Sequence, residues 1–411
     1  MIKMIAKLVR EQTPIYFSGE AVECLVEFQN PEQPQHKVFE TSRANYNLVI
    51  SDPFQNLAWA SAQIHCYRKT AFGVKIESGN QDLVEASSTA LGIAVKGGSE
   101  IISSTKPKIL FCDLRLKPGE TRTYFYREIL PREGPPTYRG HDIKYFYRIT
   151  VASQRVKSKV QTLSLPFRVL PLPKAPTSED GSDARNETNE ELSPTNPFVE
   201  PKKISEVELA WQHLLNITAR RLPKYYRITN KRGYVGRFCL FKPAYKLGED
   251  IVGALDFTNR EIRCVQFCVT LQSEEILKKI CTKADHPETP QSPTEPLSSS
   301  SSTTEQSGKI TDHTKCHEFC LSMLQTQVLV PVPLYVTPSF STDLVDIKWR
   351  LHFEFVTSTT MDYDKESPET GEWQAPENIS IETMVWNLPV TLYPTSPLQI
   401  YSPSETLSMV F

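Results

Sequence analysis

The stretch YFSGEAVECLVEFQN, Tyr16–Asn30, is answered by YKLGEDIVGALDFTN, Tyr245–Asn259, in the same register 229 positions later. Tyrosine, Gly-Glu, phenylalanine and asparagine coincide. Val22, Cys24, Val26 and Phe28 share one face of an alternating strand, with Glu23 and Glu27 opposite. The second stretch keeps Ile251 and Leu255 at the Val22 and Val26 positions, puts Gly253 where Cys24 stands, and matches Glu27 with Asp256. Each glycine follows an aromatic residue and precedes an alternating run, so it supplies a backbone conformation that a side chain resists.

Further landmarks return in order. GPPTYRGHDIKYFYRI (Gly134–Ile149) places Pro-Thr-Tyr ahead of an Ile-Lys-aromatic strand, and TPSFSTDLVDIKWRLHF (Thr337–Phe353) places Pro-Ser-Phe before Ile-Lys-Trp. LPFRVLP at Leu165 is answered by LPVTLYP at Leu388. The chain therefore carries two copies of one plan. Period-two alternation, as in Ile143, Tyr145, Tyr147, Ile149 and in Ile347, Trp349, Leu351, Phe353, makes the plan a β-sandwich. Thirty-one prolines against sixteen glycines suit short strands with Pro-bearing connections.

The limits divide as follows: a first sandwich over 1–172, a disordered linker over 173–203, an amphipathic helix over 204–222, a second sandwich over 223–397 and a tail over 398–411. A second disordered segment, about 282–312, is an insertion within the second sandwich. Both polar, Pro-rich segments bury too little apolar surface to offset their ordering entropy. The helix, ISEVELAWQHLLNITARRLP, carries Ile204, Val207, Trp211, Leu214, Leu215 and Leu222 on one face, with Ser205 and Glu208 spaced as a capping box and Pro223 as a stop. That face either packs on a sandwich edge or docks on a partner or a membrane surface, with Lys202, Lys203, Arg220, Arg221 and Lys224 beside it.

Composition narrows the chemistry. The 411 residues hold 46 Lys and Arg against 48 Asp and Glu, a net charge of -2 with no block of either sign, so no nucleic-acid partner is expected. MIKMIAKLVREQ interrupts its apolar residues with Lys3, Lys7 and Arg10 and does not read as a signal peptide. No window reaches the roughly 18 apolar residues of a membrane-spanning helix. Nine cysteines, an odd number, point to reduced thiols and a cytosolic chain, and the three Asn-x-Ser/Thr sequences are read as chance.

No nucleophile elbow, Walker loop or H-E-x-x-H appears, so neither catalysis nor a cofactor is expected. His313, Cys316, His317, Cys320, Cys264 and Cys268 are the best metal candidates. Cys264 and Cys268 on one extended strand lie about 13 Å apart, too far to share one zinc. No metal site is expected. PPTY, Pro135–Tyr138, has the form of a WW-domain ligand, as displayed by ubiquitin-ligase adaptors, but lies at a strand entry that the second copy repeats. NPF, Asn196–Phe198, has the form of an EH-domain ligand.

At these residues the chain resembles a known family. The early G-E-x-V turn and the later P-P-x-[YF]-x-G entry look like the arrestin fold. KPKILFCDLRLKPGE (Lys106–Glu120), LPREGPPTYRGHDIKYFY, YKLGEDIVG and IKWRLHFEFVTS resemble the Rgp family, over about three quarters of the chain. The resemblance implies an all-β protein of two tandem arrestin-like β-sandwich domains with one interdomain amphipathic helix and two disordered segments. It also implies a non-catalytic scaffold and recognition subunit of a guanine-nucleotide exchange complex for a Golgi Rab GTPase. The partners would be a larger, β-propeller-containing Ric subunit and the GTPase, with peripheral contact at the cytosolic face of Golgi membranes. A ubiquitin-ligase adaptor and a retromer-like cargo sorter are the alternatives.

Sheet faces suggest where partners dock. In IKWRLHFEF, Lys348, Arg350, His352 and Glu354 face outward. In KILFCDLRL, Leu110, Cys112, Leu114 and Leu116 face inward, leaving Phe111, Asp113 and Arg115 outside. Phe111, Asp113, Arg115, Arg350 and His352 are the candidate partner-binding residues. Ile204, Val207, Trp211, Leu214 and Leu215 form the candidate partner or membrane face of the helix.

Overall fold

The structure is a computed structural model that describes residues 2–10, 13–31, 54–71, 74–76, 99–174, 205–278, 281–283, 308–358, 378, 380–400 and 406–410. Most of the expected linker, the NPF sequence, Ile204 and most of the expected insertion lie outside the described residues. The chain divides into two compact units: 1–170 with 280–290 and 396–411, and 171–279 with 291–395.

The first unit holds β1 (Lys3–Leu8), β2 (Ile15–Phe17), β3 (Ala21–Gln29), β4 (Gln55–Thr70), β5 (Val74–Ile76), β6 (Ser99–Ser104), β7 (Lys108–Leu116), β8 (Thr121–Ile129), β9 (Tyr138–Arg139), β10 (Ile143–Gln154) and β11 (Gln161–Leu170). The second holds α1 (Glu206–Ala219), β12 (Lys224–Asn230), β13 (Gly233–Leu240), β14 (Ala244–Lys246), β15 (Asp250–Asp256), β16 (Cys264–Leu277), β18 (Lys309–Phe319), β19 (Gln325–Pro331), β20 (Phe340–Ser341), β21 (Val345–Ser358) and β22 (Ile381–Tyr393). β17 (Cys281–Lys283), paired with β5, and β23 (Leu407–Val410) belong to the first unit.

Sheet order repeats between the units. In the first, a sheet β23-β1-β3-β8 faces a sheet β2-β11-β10-β4-β6. In the second, β12-β13-β15-β19 faces β14-β22-β21-β16-β18. β2 joins β11 in parallel, and β14 joins β22 in parallel, with Tyr16 opposite Val169 and Tyr245 opposite Leu392. The all-β fold of paired sandwiches expected from the duplicated stretch is present. β23 lies antiparallel to β1 as β12 lies antiparallel to β13, so residues that read as a tail fill the place that β12 fills in the second copy.

Alternation builds both cores. Val22, Cys24, Val26 and Phe28 are fully buried, and so are Ile251, Leu255 and Phe257. One cluster joins Met4, Val22 and Val26 of the small sheet to Ala60, Ile149 and Leu165 of the large one. In the second unit Phe238 meets Phe353 at 4.9 Å between ring centroids, and Tyr226 meets Trp386 at 5.2 Å. Phe238 and Phe353 are fully buried, and each such side chain stabilises its sandwich by about 1.5–3 kcal/mol. The Pro-[Thr/Ser]-aromatic landmark is a clip. Thr137 N–H donates to the Val169 carbonyl at 2.8 Å and Val169 N–H to Thr137 Oγ1 at 2.9 Å. Ser339 and Leu392 exchange the same two bonds, at 3.0 and 3.1 Å.

Candidate functional site

The repeated Tyr-x-x-Gly-Glu turn brings an aromatic ring, a carboxylate and a cation together twice. Gly19 has φ 84° and Gly248 φ 82°, the left-handed conformation that the third residue of a type II turn requires. The glutamate closes its own turn: Phe17 N–H donates to Glu20 Oε2 at 2.8 Å, and Lys246 N–H to Glu249 Oε2 at 2.9 Å. A cation then bridges carboxylate and ring. Arg10 pairs with Glu20 and lies 4.6 Å from the centre of the Tyr16 ring. Lys242 lies 2.6 Å from Glu249 and 4.8 Å from the centre of the Tyr245 ring.

Burial alone would raise the Glu249 carboxyl, but the Lys242 hydrogen bond, the Lys246 N–H and both lysine charges hold it below the usual range. Burial pushes the Tyr16 phenol up to about 12 and the Tyr245 phenol above its ordinary value. Neither ring ionises at physiological pH, so both serve as neutral platforms for the cation. The same turn recurs at Lys117–Glu120, where Gly119 has φ 76° and Lys117 N–H donates to Glu120 Oε2 at 2.9 Å. Gly-Glu by itself is therefore a turn signature; the tyrosine and the cation distinguish the duplicated pair.

Helix α1 lies against the second turn. Ser205 Oγ accepts from Glu208 N–H at 3.1 Å and caps the helix as its sequence suggests. The buried row is Ala210, Leu214 and Thr218, which packs toward β14. Thr218 Oγ1 donates to the Leu214 carbonyl, and Lys242 Nζ donates to the Thr218 carbonyl at 3.3 Å. This corrects the stripe drawn from sequence: Val207 and Trp211 are half-buried, whereas Leu215 and Leu222 are exposed. Ala210 and Thr218 are small enough to let the helix approach the sheet, and that shifts the buried face away from Leu215. Leu215 instead lines a cavity of about 710 Å³ with Phe241, Tyr245, Val252, Arg221 and Lys246.

The candidate sheet-face residues fall in separate places. Arg350 and His352 lie on β21, pointing away from Trp349, Leu351 and Phe353 as expected. Both are engaged: Arg350 donates to Gln272 Oε1 at 3.0 Å and lies 3.7 Å from Glu274, while His352 Nδ1 lies 2.7 Å from Asn387 Oδ1. Arg115 is exposed and stacks on Phe54 at 4.3 Å, and Asp113 is exposed beside it. Phe111 is a correction. It packs on the core, 5.1 Å from Phe28 and 4.9 Å from Tyr124, while Cys112 is exposed. Asp113 has φ 61°, and between Leu114 opposite buried Leu57 and Phe111 opposite buried Ala60 the inward face changes parity, so alternation is reversed at Phe111.

Sequence reasoning missed an apolar patch on the first unit. Ile109, Phe125 and Ile129 are 70%, 56% and 63% exposed. Lys108 ties β7 to β8 beside them, donating to the Arg127 carbonyl at 2.6 Å. The signal was present in TRTYFYREI, where Phe125 and Ile129 share the parity opposite to Tyr124 and Tyr126. The metal candidates serve other ends: Cys320 Sγ donates to the Cys264 carbonyl at 3.5 Å, and His313 packs on Trp349 at 4.7 Å. Among the described residues no cluster of His, Cys, Asp or Glu is disposed to hold a metal ion.

Comparison with known proteins locates this geometry. The Rgp1 family model matches residues 54–179 and 172–358. The chain is 37% identical over 410 residues to a Homo sapiens protein named RAB6A-GEF complex partner protein 2, covering 97% of this chain and 96% of that one. It is 38% identical over 403 residues to the Bos taurus protein of the same name, covering 95% and 93%. Among solved structures, the sporulation control protein Spo0M from Bacillus subtilis aligns over 41% of this chain and 49% of its own at 14% identity, with a TM-score of 0.25. With the family model spanning both sandwiches and relatives aligned end to end, the chain belongs to the Rgp1 family.

Proposed function

We propose that the chain is the non-catalytic scaffold and recognition subunit of a two-subunit guanine-nucleotide exchange factor for a Rab GTPase of the Rab-six class. It acts with a larger, β-propeller-containing subunit at the cytosolic face of Golgi membranes, in retrograde and intra-Golgi traffic. One observation carries this reading: the alignment runs through 97% of the chain and 96% of a human relative named for a RAB6A-GEF complex. A shared fold alone would not carry it.

Exchange needs no covalent chemistry. A factor that binds the nucleotide-free GTPase more tightly than the loaded form drives nucleotide loss by that difference in affinity. The chain's part is to hold the exchange element and the GTPase together. The exposed Ile109, Phe125 and Ile129 patch and the cavity beside α1 are surfaces suited to assembly. The ubiquitin-ligase adaptor alternative needs an open PPTY, whereas Thr137 is clipped to Val169 and Tyr147 Oη donates to the Pro135 carbonyl at 2.8 Å.

Affinity purification followed by a GDP-release assay tests the proposal. The expected result is a stable complex with a large β-propeller protein that speeds GDP release from a Golgi Rab, with neither subunit sufficient alone. Recovery of ubiquitin ligases or endosomal coat subunits in its place, with no effect on GDP release, would overturn it.

A further inference from the structure

The cavity beside α1 has a mouth whose chemistry the duplicated turn does not need. Lys242 and Lys246 are both occupied by Glu249, at 2.6 and 3.4 Å. Arg220, Arg221 and Lys224, where the chain leaves the helix and enters β12, are exposed and carry no ion pair among the described residues. Exposed apolar side chains adjoin them: Leu222 by 54%, with Leu215 and Phe241 also exposed, whereas the Tyr225 ring lies under the Arg237 guanidinium at 5.2 Å. Pro223 fixes the turn from which Leu222 projects, and Leu215 and Phe241 line the cavity.

Aliphatic tips, a phenylalanine and flexible cations that carry no ion pair among the described residues, outnumbering the one exposed carboxylate of the cavity, Asp250, match the boundary between lipid headgroups and acyl chains. The cations suit phosphate, and the leucines and phenylalanine suit the hydrocarbon just beneath it. We propose that this mouth is a docking site for an anionic phospholipid surface, with Arg220, Arg221 and Lys224 on the headgroups and Leu222 and Phe241 inserted between them. The proposal deepens the peripheral-membrane part of the function proposed above and rests on that part alone. An acidic peptide has the same charge but would bind in solution, without a bilayer.

The test is flotation of the full-length chain with vesicles of phosphatidylcholine alone or containing about 30% phosphatidylserine. Retention is expected only on the anionic vesicles. Each cation near such a surface contributes about fivefold in partitioning, so Arg220→Glu with Arg221→Glu and Lys224→Glu should lower retention by about a hundredfold or more. Leu222→Ser with Phe241→Ser should lower it by about tenfold at unchanged charge. All five side chains are exposed, and an unchanged melting temperature verifies that each variant is folded. No retention on anionic vesicles, equal retention of the charge-reversed variant, or equal capture by soluble polyglutamate and by vesicles would overturn the site. GDP release in detergent, without vesicles, tests the exchange-subunit reading separately.

Discussion

Gly253 and Phe238 face each other so closely that a Cβ on the glycine would stand 2.5 Å from the phenylalanine ring and 3.0 Å from the Cys239 carbonyl. The first copy solves the same place differently. Cys24 stands at the Gly253 position, and Ala6, opposite Val26, stands where Phe238 stands opposite Leu255. One copy pairs two small side chains; the other pairs a phenylalanine ring with no side chain at all.

This exchange of volume predicts a non-additive pair. Gly253→Cys should destabilise the second sandwich by about 2–3 kcal/mol, because a packed ring cannot yield. Phe238→Ala should cost about 3–5 kcal/mol. The double variant recreates the first copy's Ala-Cys pair and should cost less than the sum by at least about 1 kcal/mol. Additive losses in urea titrations would show that the two positions do not share one space.

The repeated turn predicts an asymmetry. Gly19→Ala and Gly248→Ala both force a side chain into the left-handed region, at about 1–2 kcal/mol. Among the described residues only the Cβ at Gly248 would also meet a side chain, Leu334 Cδ2 at 2.7 Å. Leu334 is half out in solvent and its tip can move, so the second variant should exceed the first by only a few tenths of a kcal/mol. Melting curves of the two variants measure the difference, and a large excess would mean that Leu334 is held fast.

How much of this was legible in the sequence depends on which force decided it. Val22, Val26, Ile251 and Leu255 were readable as core because period-two burial leaves a pattern in the chain itself. Gly19 and Gly248 were readable because few residues tolerate their backbone. Phe111 was misread, since one left-handed residue at Asp113 reverses a parity that no local pattern records. The buried row of α1 was misread for a related reason. Hydrophobicity favoured Leu215, but close approach to β14 favoured the small Ala210 and Thr218. The partners of β1 and the mouth beside α1 depend on segments far apart in sequence, which periodicity cannot join.

The helix therefore predicts opposite outcomes for adjacent leucines. Leu214 is fully buried, and Leu214→Ala should destabilise the protein by about 2–4 kcal/mol. Leu215 is 37% exposed at the cavity, and Leu215→Ala should cost under about 1 kcal/mol. Similar losses for both in a denaturant series would restore the stripe drawn from sequence.

His65 predicts acid sensitivity in the first sandwich. It is fully buried on β4, neither ring nitrogen has a hydrogen-bond partner among the described residues, and burial pulls its pKa down to about 4. The unfolded chain, with a histidine near 6.5, binds the proton first as pH falls, so stability is full above about pH 6.5 and declines toward pH 4. The slope is at most about 1.4 kcal/mol per pH unit. His65→Leu should flatten this part of the profile, and an unchanged slope between pH 6.5 and 4.5 would assign the sensitivity elsewhere.

The last prediction concerns β23. Met409 lies opposite Met4 and Leu407 opposite Ala6, both half-buried against the first core, whereas Ser408 faces out. The 3-10 turn at Pro397–Gln399 packs near β2, so the C-terminal residues serve the first sandwich as α1 and β12 serve the second, helix first and edge strand after. β12 follows α1 directly and pairs from Lys224 to Asn230, while β23 spans only Leu407–Val410. Deleting residues 397–411 should uncover the edge of β1 and destabilise the first sandwich by about 2–3 kcal/mol. Leu407→Asp with Met409→Asp should reproduce most of that loss, and Ser408→Asp almost none, because alternation puts only the first pair on the core face. Hydrogen exchange at β1 gives a local readout: the amides of Met4 and Ala6, which face β23 because Val9 and the odd residues of β1 bond to β3, should lose protection in the truncated chain while those of β13 keep theirs. Unchanged protection along β1 would mean that the edge is closed without β23.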